Sequence, residues 1–222
     1  MRRCRLCTEA GYEIVPGAVF SGTAVSRVML IGQAPGVTEV EAKRPFNAGS
    51  GRRLFQWLGE AGWDEDAFRR RHYMTAVTKC YPGKGSNGKG DRVPSKAEQQ
   101  LCRPFLEQEL ALVKPRLIIL VGGLAIKLMF PRSARLKELV GTAVYLPPSA
   151  LSASGNFSLQ GGQRFKMADE LLVAAAAAPG GRAILPLPHP SGASLWPNKP
   201  ANKELIARAV MLLDALRTAW QL

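Results

Sequence analysis

Val28-Met-Leu-Ile-Gly-Gln-Ala-Pro-Gly36 decides the fold of this chain, because a continuous apolar run stops abruptly at a loop bounded by two glycines. The run 28–31 has the length and composition of a strand buried on both faces. In the segment 51–62, apolar residues recur every three or four positions, which predicts an amphipathic helix. A buried strand, a tight loop and a helix together form the repeating unit of a parallel sheet covered by helices.

The same alternation continues along the chain. Further strands are predicted at 73–77, 116–121 and 183–187, and helices at 95–113, 124–130, 167–178 and 202–216. Ser95 and Glu98 form a capping box at one helix start, and Asn202 is predicted to cap the last helix. The segment 132–166 reads as irregular. We therefore expect an α/β fold, a three-layer sandwich with a short, mostly parallel central sheet, in one domain over residues 1–222.

The charge of the chain indicates a polyanionic partner. Thirty Lys and Arg residues against 17 Asp and Glu give a formal net charge of +13. Such an excess attracts nucleic acid first, although a basic surface can also serve solubility alone. The longest apolar stretches, 117–121 and 171–178, are too short to span a membrane, so a membrane partner is not expected.

Four cysteines, Cys4, Cys7, Cys80 and Cys102, are spaced like the ligands of one metal site. The Cys-x-x-Cys pair can hold one corner of a four-iron, four-sulfur cluster or one zinc ion, and thiolate ligands alone do not separate the two. The alternative is a redox pair with two buried structural cysteines. No apolar signal segment precedes Cys4, so we expect a reducing compartment, the cytoplasm.

Three loops follow predicted strands, at 32–51, 80–94 and 189–200. Open α/β sheets bind ligands at the carboxyl ends of their strands. The first loop matches neither the P-loop nor the dinucleotide fingerprint, and by itself it could be an ordinary strand-to-helix turn.

An ordered set of short motifs runs through these loops. It comprises Gly32-Gln-Ala-Pro-Gly36, Arg44-Pro-Phe46, Thr75-Ala-Val-Thr-Lys-Cys80, Pro82-Gly83, Cys102-Arg-Pro104 and His189-Pro-Ser191. In this order the set resembles the uracil-DNA glycosylase superfamily over nearly the whole chain, and most closely its iron–sulfur-containing branches. The chain is a divergent member in this comparison. The resemblance implies that Cys4, Cys7, Cys80 and Cys102 hold a 4Fe-4S cluster.

The resemblance also implies a function in DNA base excision repair. Such an enzyme flips uracil out of single- or double-stranded DNA and hydrolyses its N-glycosidic bond to leave an abasic site. Phe46 would stack on the base, and His189 would donate to the uracil oxygen. The other histidine, His72, follows three arginines and is expected at the surface. The loop residues Gly32, Ala34, Pro35 and Gly36 would line the base pocket.

Two departures from the family pattern fall at catalytic positions. Gln33 stands where the family has an acid that positions water, and Ala76 stands where it has an asparagine that reads the uracil edge. Some iron–sulfur members are similar in having alanine there. Asn47 or Asn87 could replace the lost amide, and Glu39, Glu41 or Asp91 could supply a carboxylate. A water held by Gln33 also suffices where the sugar cation needs little base assistance.

Two surface segments are predicted to contact DNA. Lys84, Lys89 and Arg92, with Lys79, read as a basic flap that follows phosphates, or as a solvated loop without function. Ser191, Leu195 and Trp196 follow His189, and the two apolar side chains could wedge into the gap left by a flipped nucleotide. Packing of Trp196 on the terminal helix is the alternative.

Three other functions remain open at this point. The loss of polar side chains at Gln33 and Ala76 favours a protein that captures damaged or abasic DNA with weak turnover. A glycosylase for another deaminated base, such as hypoxanthine, also fits. The cysteines and charge alone would fit an iron–sulfur redox sensor that binds nucleic acid. A monomer is expected in each case.

Overall fold

A six-stranded sheet with the order β2-β1-β3-β6-β4-β5 forms the centre of the molecule. The computed structural model describes residues 1–47, 49–86, 88, 90–151, 157–192 and 194–222. The strands are β1 (Val28–Gly32), β2 (Tyr73–Ala76), β3 (Leu117–Val121), β4 (Ala143–Leu146), β5 (Gln163–Phe165) and β6 (Arg182–Leu187). The first four in the sheet are parallel, and β4 runs antiparallel to both β6 and β5.

Helices cover both faces of this sheet. They are α1 (Leu6–Glu9), α2 (Val37–Ala42), α3 (Gly49–Glu60), α4 (Glu65–Arg71), α5 (Lys96–Val113), α6 (Gly123–Ile126), α7 (Leu136–Leu139), α8 (Ala168–Ala177) and α9 (Pro200–Trp220). Alternate residues of each strand enter different cores. Val28 and Leu30 pack with α3, α4 and α9, whereas Met29 and Ile31 pack with α5 and α6. The predicted three-layer α/β fold is confirmed.

Two predictions of local structure are wrong. The segment 132–166, expected to be irregular, contains α7, β4 and β5. The four residues of β4 are all buried because the strand lies between β6 and β5. Asn202 does not cap α9, since Pro200 already occupies the first helical position, and the Asn202 amide instead donates to the Trp196 carbonyl at 2.8 Å. The capping box of Ser95 and Glu98 is confirmed.

A buried ion pair joins the end of β2 to α5. Lys79, predicted to belong to a basic flap, is only 2% exposed. Its ammonium group donates to the Glu109 carboxylate, the Thr75 hydroxyl and the Ala76 carbonyl, each at 2.7 Å. The hydroxyl groups of Tyr73 and Thr75 also donate to Glu109. Lys79 is therefore a structural residue and is not available to DNA.

Among the described residues, no helix combines the length and the apolar character that a membrane span requires.

His72 is buried rather than exposed, so its predicted surface position is wrong. It is 4% exposed, its ring lies 4.6 Å from that of Phe68, and its Nδ1 has no hydrogen-bond partner among the described residues. The side chain follows α4 into the core because β2 begins at the next residue. Burial, together with the charges of Arg71 and Arg27, lowers the pKa of His72 to about 4.

We expect His72 to make the protein less stable in mild acid. A histidine whose pKa is lower in the folded state contributes full stability above the unfolded value near 6.5, and this stability is lost as pH falls from there towards about 4. The loss is at most about 3–4 kcal/mol, from 1.36 kcal/mol per unit of pKa. His72→Leu should flatten the dependence of unfolding free energy on pH between these values in urea titrations. Parallel curves for the two proteins would contradict this assignment.

Candidate active site

A cavity lies at the carboxyl ends of the parallel strands, with about 450 Å³ of empty space that is partly open to solvent. Its lining includes Gly32, Gln33, Ala34, Pro35, Phe46, Ala76 and His189 from the predicted site, together with Val19, Glu39, Pro45, Ser50, Thr75 and Val121. Segments far apart in the chain meet here because the parallel strands all end at the same edge of the sheet. Gly36 and Asn47 lie beside this lining, Asn47 being exposed. Asn87 lies outside the described residues.

His189 is held in one orientation at the end of β6. Its Nδ1 accepts from the backbone N–H of Ser191 at 3.2 Å and lies 2.9 Å from the Ser191 hydroxyl. Gly122 has a φ of +87°, and a Cβ there would lie 3.0 Å from His189 Cδ2, so the glycine leaves room for the ring. Because Nδ1 accepts a hydrogen bond, the neutral ring carries its proton on Nε2. Burial lowers the pKa of His189, which keeps the ring neutral at pH 7.

Phe46 forms one wall of the cavity, and its own backbone has a positive φ. Its φ is 53°, an unusual value for a phenylalanine. A Cβ at Gly32 would lie only 2.8 Å from Phe46 Cζ, so the aromatic ring approaches the end of β1 as closely as glycine permits. The Arg69 guanidinium donates to the carbonyls of Pro45 at 2.7 Å and Phe46 at 2.8 Å. These contacts fix the ring as one wall of the cavity.

Glu39 is the carboxylate that lines the cavity, and it is already engaged. Its oxygens accept from the backbone N–H groups of Gly36 and Phe46, so it ties the Gly32–Gly36 loop to the Phe46 segment. Burial raises the pKa of Glu39, while the backbone N–H groups act in the opposite direction. The sequence signal for this role is the position of Glu39 three residues after Gly36, the glycine that caps α2, where a glutamate side chain can accept from the backbone N–H of the capping residue.

The other two candidate carboxylates lie outside the cavity lining, although the Asp91 carboxylate stands close to Gly36. Glu41 is exposed on α2. Asp91 accepts from the Tyr81 hydroxyl at 3.0 Å and lies 3.5 Å from the Lys84 ammonium. Neither residue lines the cavity.

The two departures from the family pattern lie in the cavity wall. Gln33 is half-buried. Its backbone carbonyl, not its side chain, accepts from the Thr78 backbone N–H at 3.2 Å. Ala76 is 7% exposed, and Lys79 occupies its carbonyl. The Gln33 side chain is therefore an uncharged polar group that the cavity offers to a ligand.

The flap cations are largely engaged by acids. The Arg92 guanidinium binds Glu98 through two hydrogen bonds of 2.6 and 2.7 Å. Lys84 faces Asp91 at 3.5 Å, with both side chains exposed. Lys89 lies outside the described residues.

In the segment after His189, one of the two large apolar side chains is exposed to solvent and the other packs on the core. Leu195 is 73% exposed, whereas Trp196 is half-buried and packs against the core that contains α9. Ser191 contacts His189, as described above. Of the two predicted wedge residues, Leu195 has the free side chain.

All four cysteines line a second cavity, of about 510 Å³. Cys102 projects from α5, Cys80 follows β2, and Cys4 and Cys7 come from the N-terminal segment. Within the described parts of the chain, no three His, Cys, Asp or Glu side chains stand close enough to hold a single metal ion. Burial, together with the neighbouring thiols, raises the pKa of Cys7, Cys80 and Cys102, the last to about 11. Deprotonated together, these thiols would need a positively charged group between them.

Comparison with known proteins places this architecture in a family. The model of the "Uracil DNA glycosylase superfamily" matches residues 20–213. A type-4 uracil-DNA glycosylase of Pyrobaculum aerophilum is 32% identical over 143 residues, 64% of this chain and 66% of that relative. Those of Sulfurisphaera tokodaii and Archaeoglobus fulgidus are 29% and 30% identical over 132 residues. These matches cover 59% and 57% of this chain and 54% and 58% of the relatives, less than two thirds of their length. Because the family model covers far more than half of the residues, this chain belongs to the uracil-DNA glycosylase superfamily.

Proposed function

We propose that this protein is a DNA glycosylase that binds a flipped uracil in the Phe46–His189 cavity and hydrolyses its N-glycosidic bond. The observation that carries this proposal is the orientation of His189. Ser191 occupies Nδ1, so Nε2–H is the group that the neutral ring can offer to a ligand in the cavity. Cleavage leaves negative charge on the departing base, and a preorganised donor to that charge lowers the barrier.

The remaining cavity residues would bind and orient. Phe46 offers an aromatic face on which a flipped base can stack. Gln33 cannot accept a proton as a base, but its amide can hold a water molecule near the sugar. This is enough where bond cleavage runs ahead of water attack, because the oxocarbenium-like sugar is already highly electrophilic.

We further propose that Cys4, Cys7, Cys80 and Cys102 hold a 4Fe-4S cluster. The four thiols line one cavity, yet among the described residues no three of them stand close enough to share a single ion, which suits a larger group. Iron–sulfur clusters can transfer electrons, but hydrolysis of a glycosidic bond requires no electron transfer. The cysteines would therefore act here by linking the N-terminal segment to β2 and α5.

A capture protein for damaged or abasic DNA is the second candidate. The observation that favours it is the state of Glu39, whose carboxylate is held by backbone N–H groups rather than free to activate water. Such a protein would bind its lesion in the same cavity and turn over weakly.

The test of the glycosylase proposal is the single-turnover excision rate of His189→Ala. We expect a loss of about two to three orders of magnitude on uracil-containing DNA, the size found when a donor to a developing anion is removed. DNA binding should change much less. His72→Leu is the control, because it removes the other histidine from a position in the core remote from the cavity lining.

Oligonucleotides with uracil, hypoxanthine or xanthine, in single and double strands, separate the candidates. Excision by His189→Ala at the wild-type rate would overturn the assigned role. A wild-type protein that excises none of these bases but retains the modified DNA would favour capture.

Glu39 is expected to act as a clamp for Phe46 rather than as a base. In Glu39→Gln the amide oxygen can still accept a backbone N–H, so excision should stay within about tenfold of wild type, whereas Glu39→Ala frees the loop and should cost about a hundredfold, as small misplacements do. Single-turnover rates of the two variants give the comparison. A general base would lose about two to four orders of magnitude in both variants alike.

The cluster proposal predicts a brown protein after anaerobic purification, with iron and acid-labile sulfide in similar amounts. Cys102→Ala should lose both and lower the melting temperature, because the free energy of metal binding contributes to folding. Iron and sulfide assays with thermal melting measure this. Colourless wild-type protein carrying one zinc ion would show the proposal to be wrong.

A further inference from the structure

A cleft of about 680 Å³ beside the first two turns of α5 is a second cationic surface, separate from the two segments that the sequence predicts to contact DNA. Its rim carries the exposed cations Lys96, Arg103 and Arg132. Gln99 and Gln100 add uncharged polar groups, and Val77, Leu106 and Leu128 complete the lining. Among the described residues, none of those that line the cleft carries a carboxylate.

These cations remain available to a ligand to a greater extent than those of the flap. Within the described residues, Lys96, Arg103 and Arg132 form a single ion pair between them, in which Arg103 Nε lies 2.7 Å from the Glu107 carboxylate. A guanidinium has five N–H donors, so Arg103 keeps its terminal nitrogens for a second partner. In the flap, by contrast, Glu98 binds Arg92 through both terminal nitrogens.

The cleft adjoins the base cavity through β2. Val77, in the cleft lining, directly follows Ala76, in the cavity lining. α5 begins at the carboxyl edge of the sheet because it follows β2. A strand whose nucleotide enters the cavity can therefore continue along the start of α5.

Lys96 and Arg103 are seven residues apart, which places them on the same face of α5. They are separated by about 10 Å along the helix axis, the length of roughly three nucleotides at 3.4 Å each. Exposed cations spread over this distance suit a chain of phosphates better than one small anion, which would contact only one or two of them. The exposed Gln100 amide can donate to an intervening phosphate oxygen, whereas the Gln99 amide already donates to the Pro94 carbonyl at 2.8 Å.

We propose that the α5 cleft, defined by Lys96, Gln99, Gln100, Arg103 and Arg132, binds the phosphate backbone of the DNA strand next to the flipped nucleotide. The inference rests on the proposed DNA substrate but not on excision of a base. It assigns the main sequence-independent contact to α5 instead of the flap.

The test measures binding of a uracil-free, single-stranded oligodeoxynucleotide as a function of salt. The triple variant Lys96→Gln, Arg103→Gln and Arg132→Gln should reduce the slope of log affinity against log salt by about two, at about 0.7 per phosphate contact. The same contacts correspond to roughly a hundredfold weaker binding at 0.1 M salt.

The matched control removes three exposed lysines elsewhere, with Lys114→Gln beyond the other end of α5, Lys137→Gln on α7 and Lys203→Gln on α9. It lowers the net charge equally, so its slope should stay close to that of the wild type. Equal losses in both triple variants would overturn the proposal, since net charge alone would then explain them. Tighter cleft-dependent binding of RNA of the same sequence would also overturn it.

Arg103 directly follows Cys102, so the double variant Lys96→Gln and Arg132→Gln provides a second test that leaves this neighbour unchanged. Its slope should fall by about 1.4, for two contacts. A wild-type protein that excises no base yet shows these slopes would refute the proposed function and support the cleft. A wild-type protein that excises uracil, with salt slopes unchanged in both the triple and the double cleft variant, would support the proposed function and refute the cleft.

Discussion

The buried ion pair between Lys79 and Glu109 is the interaction on which both cavities depend. Taking two charges out of water is costly, and breaking such a pair typically costs about 3–5 kcal/mol because the remaining charge is left without compensation. Here hydrogen bonds from Tyr73 and Thr75 satisfy the carboxylate, and the Ala76 carbonyl accepts from the ammonium. Thr75 and Ala76 line the base cavity, while the cysteine cavity is bounded by Cys80 on the same segment and by Cys102 on α5. The pair therefore fixes the two sites relative to each other.

The fold could be predicted where the chain repeats one pattern and could not where tertiary contacts decide. β1, β3 and β6 are continuous apolar runs, so their burial is visible in the sequence. β4 and β5 have four and three residues, and pairing at the edge of the sheet stabilises them more than any periodicity of their own. Lys79 and His72 were misassigned for one reason: residue type and neighbours predict solvent, whereas the start and end of β2 carry both side chains inward.

Convergence of the site residues could likewise be predicted from topology, since the carboxyl ends of parallel strands share an edge. This brought Gly32, Ala76 and His189 together. What the sequence could not reveal is how charges pair across the fold. Arg92 and Lys84 read as cations that contact phosphates, but Glu98 and Asp91 face them, and the less conspicuous side chains of α5 keep their donors. Sequence position gives the charge of a loop, and only the three-dimensional contacts give the charge that remains for a partner.

In the cavity, the half-buried Glu39 has a structural role, and the polar side chains of Gln33 and His189, which remain for a ligand, are uncharged. The Glu39 oxygens accept from the backbone N–H groups of Gly36 and Phe46, and Gln33 contributes an uncharged amide to the lining. Among the described residues of this lining, no carboxylate is free to activate water, so the proposed hydrolysis would depend on stabilisation of the leaving group. A neutral His189 suits that task, because its lowered pKa keeps Nε2–H as a donor without the solvation that an imidazolium would need in a buried site. Its hydrogen bond would strengthen as charge develops on the base, so the interaction would be greatest at the transition state, where stabilisation accelerates the reaction.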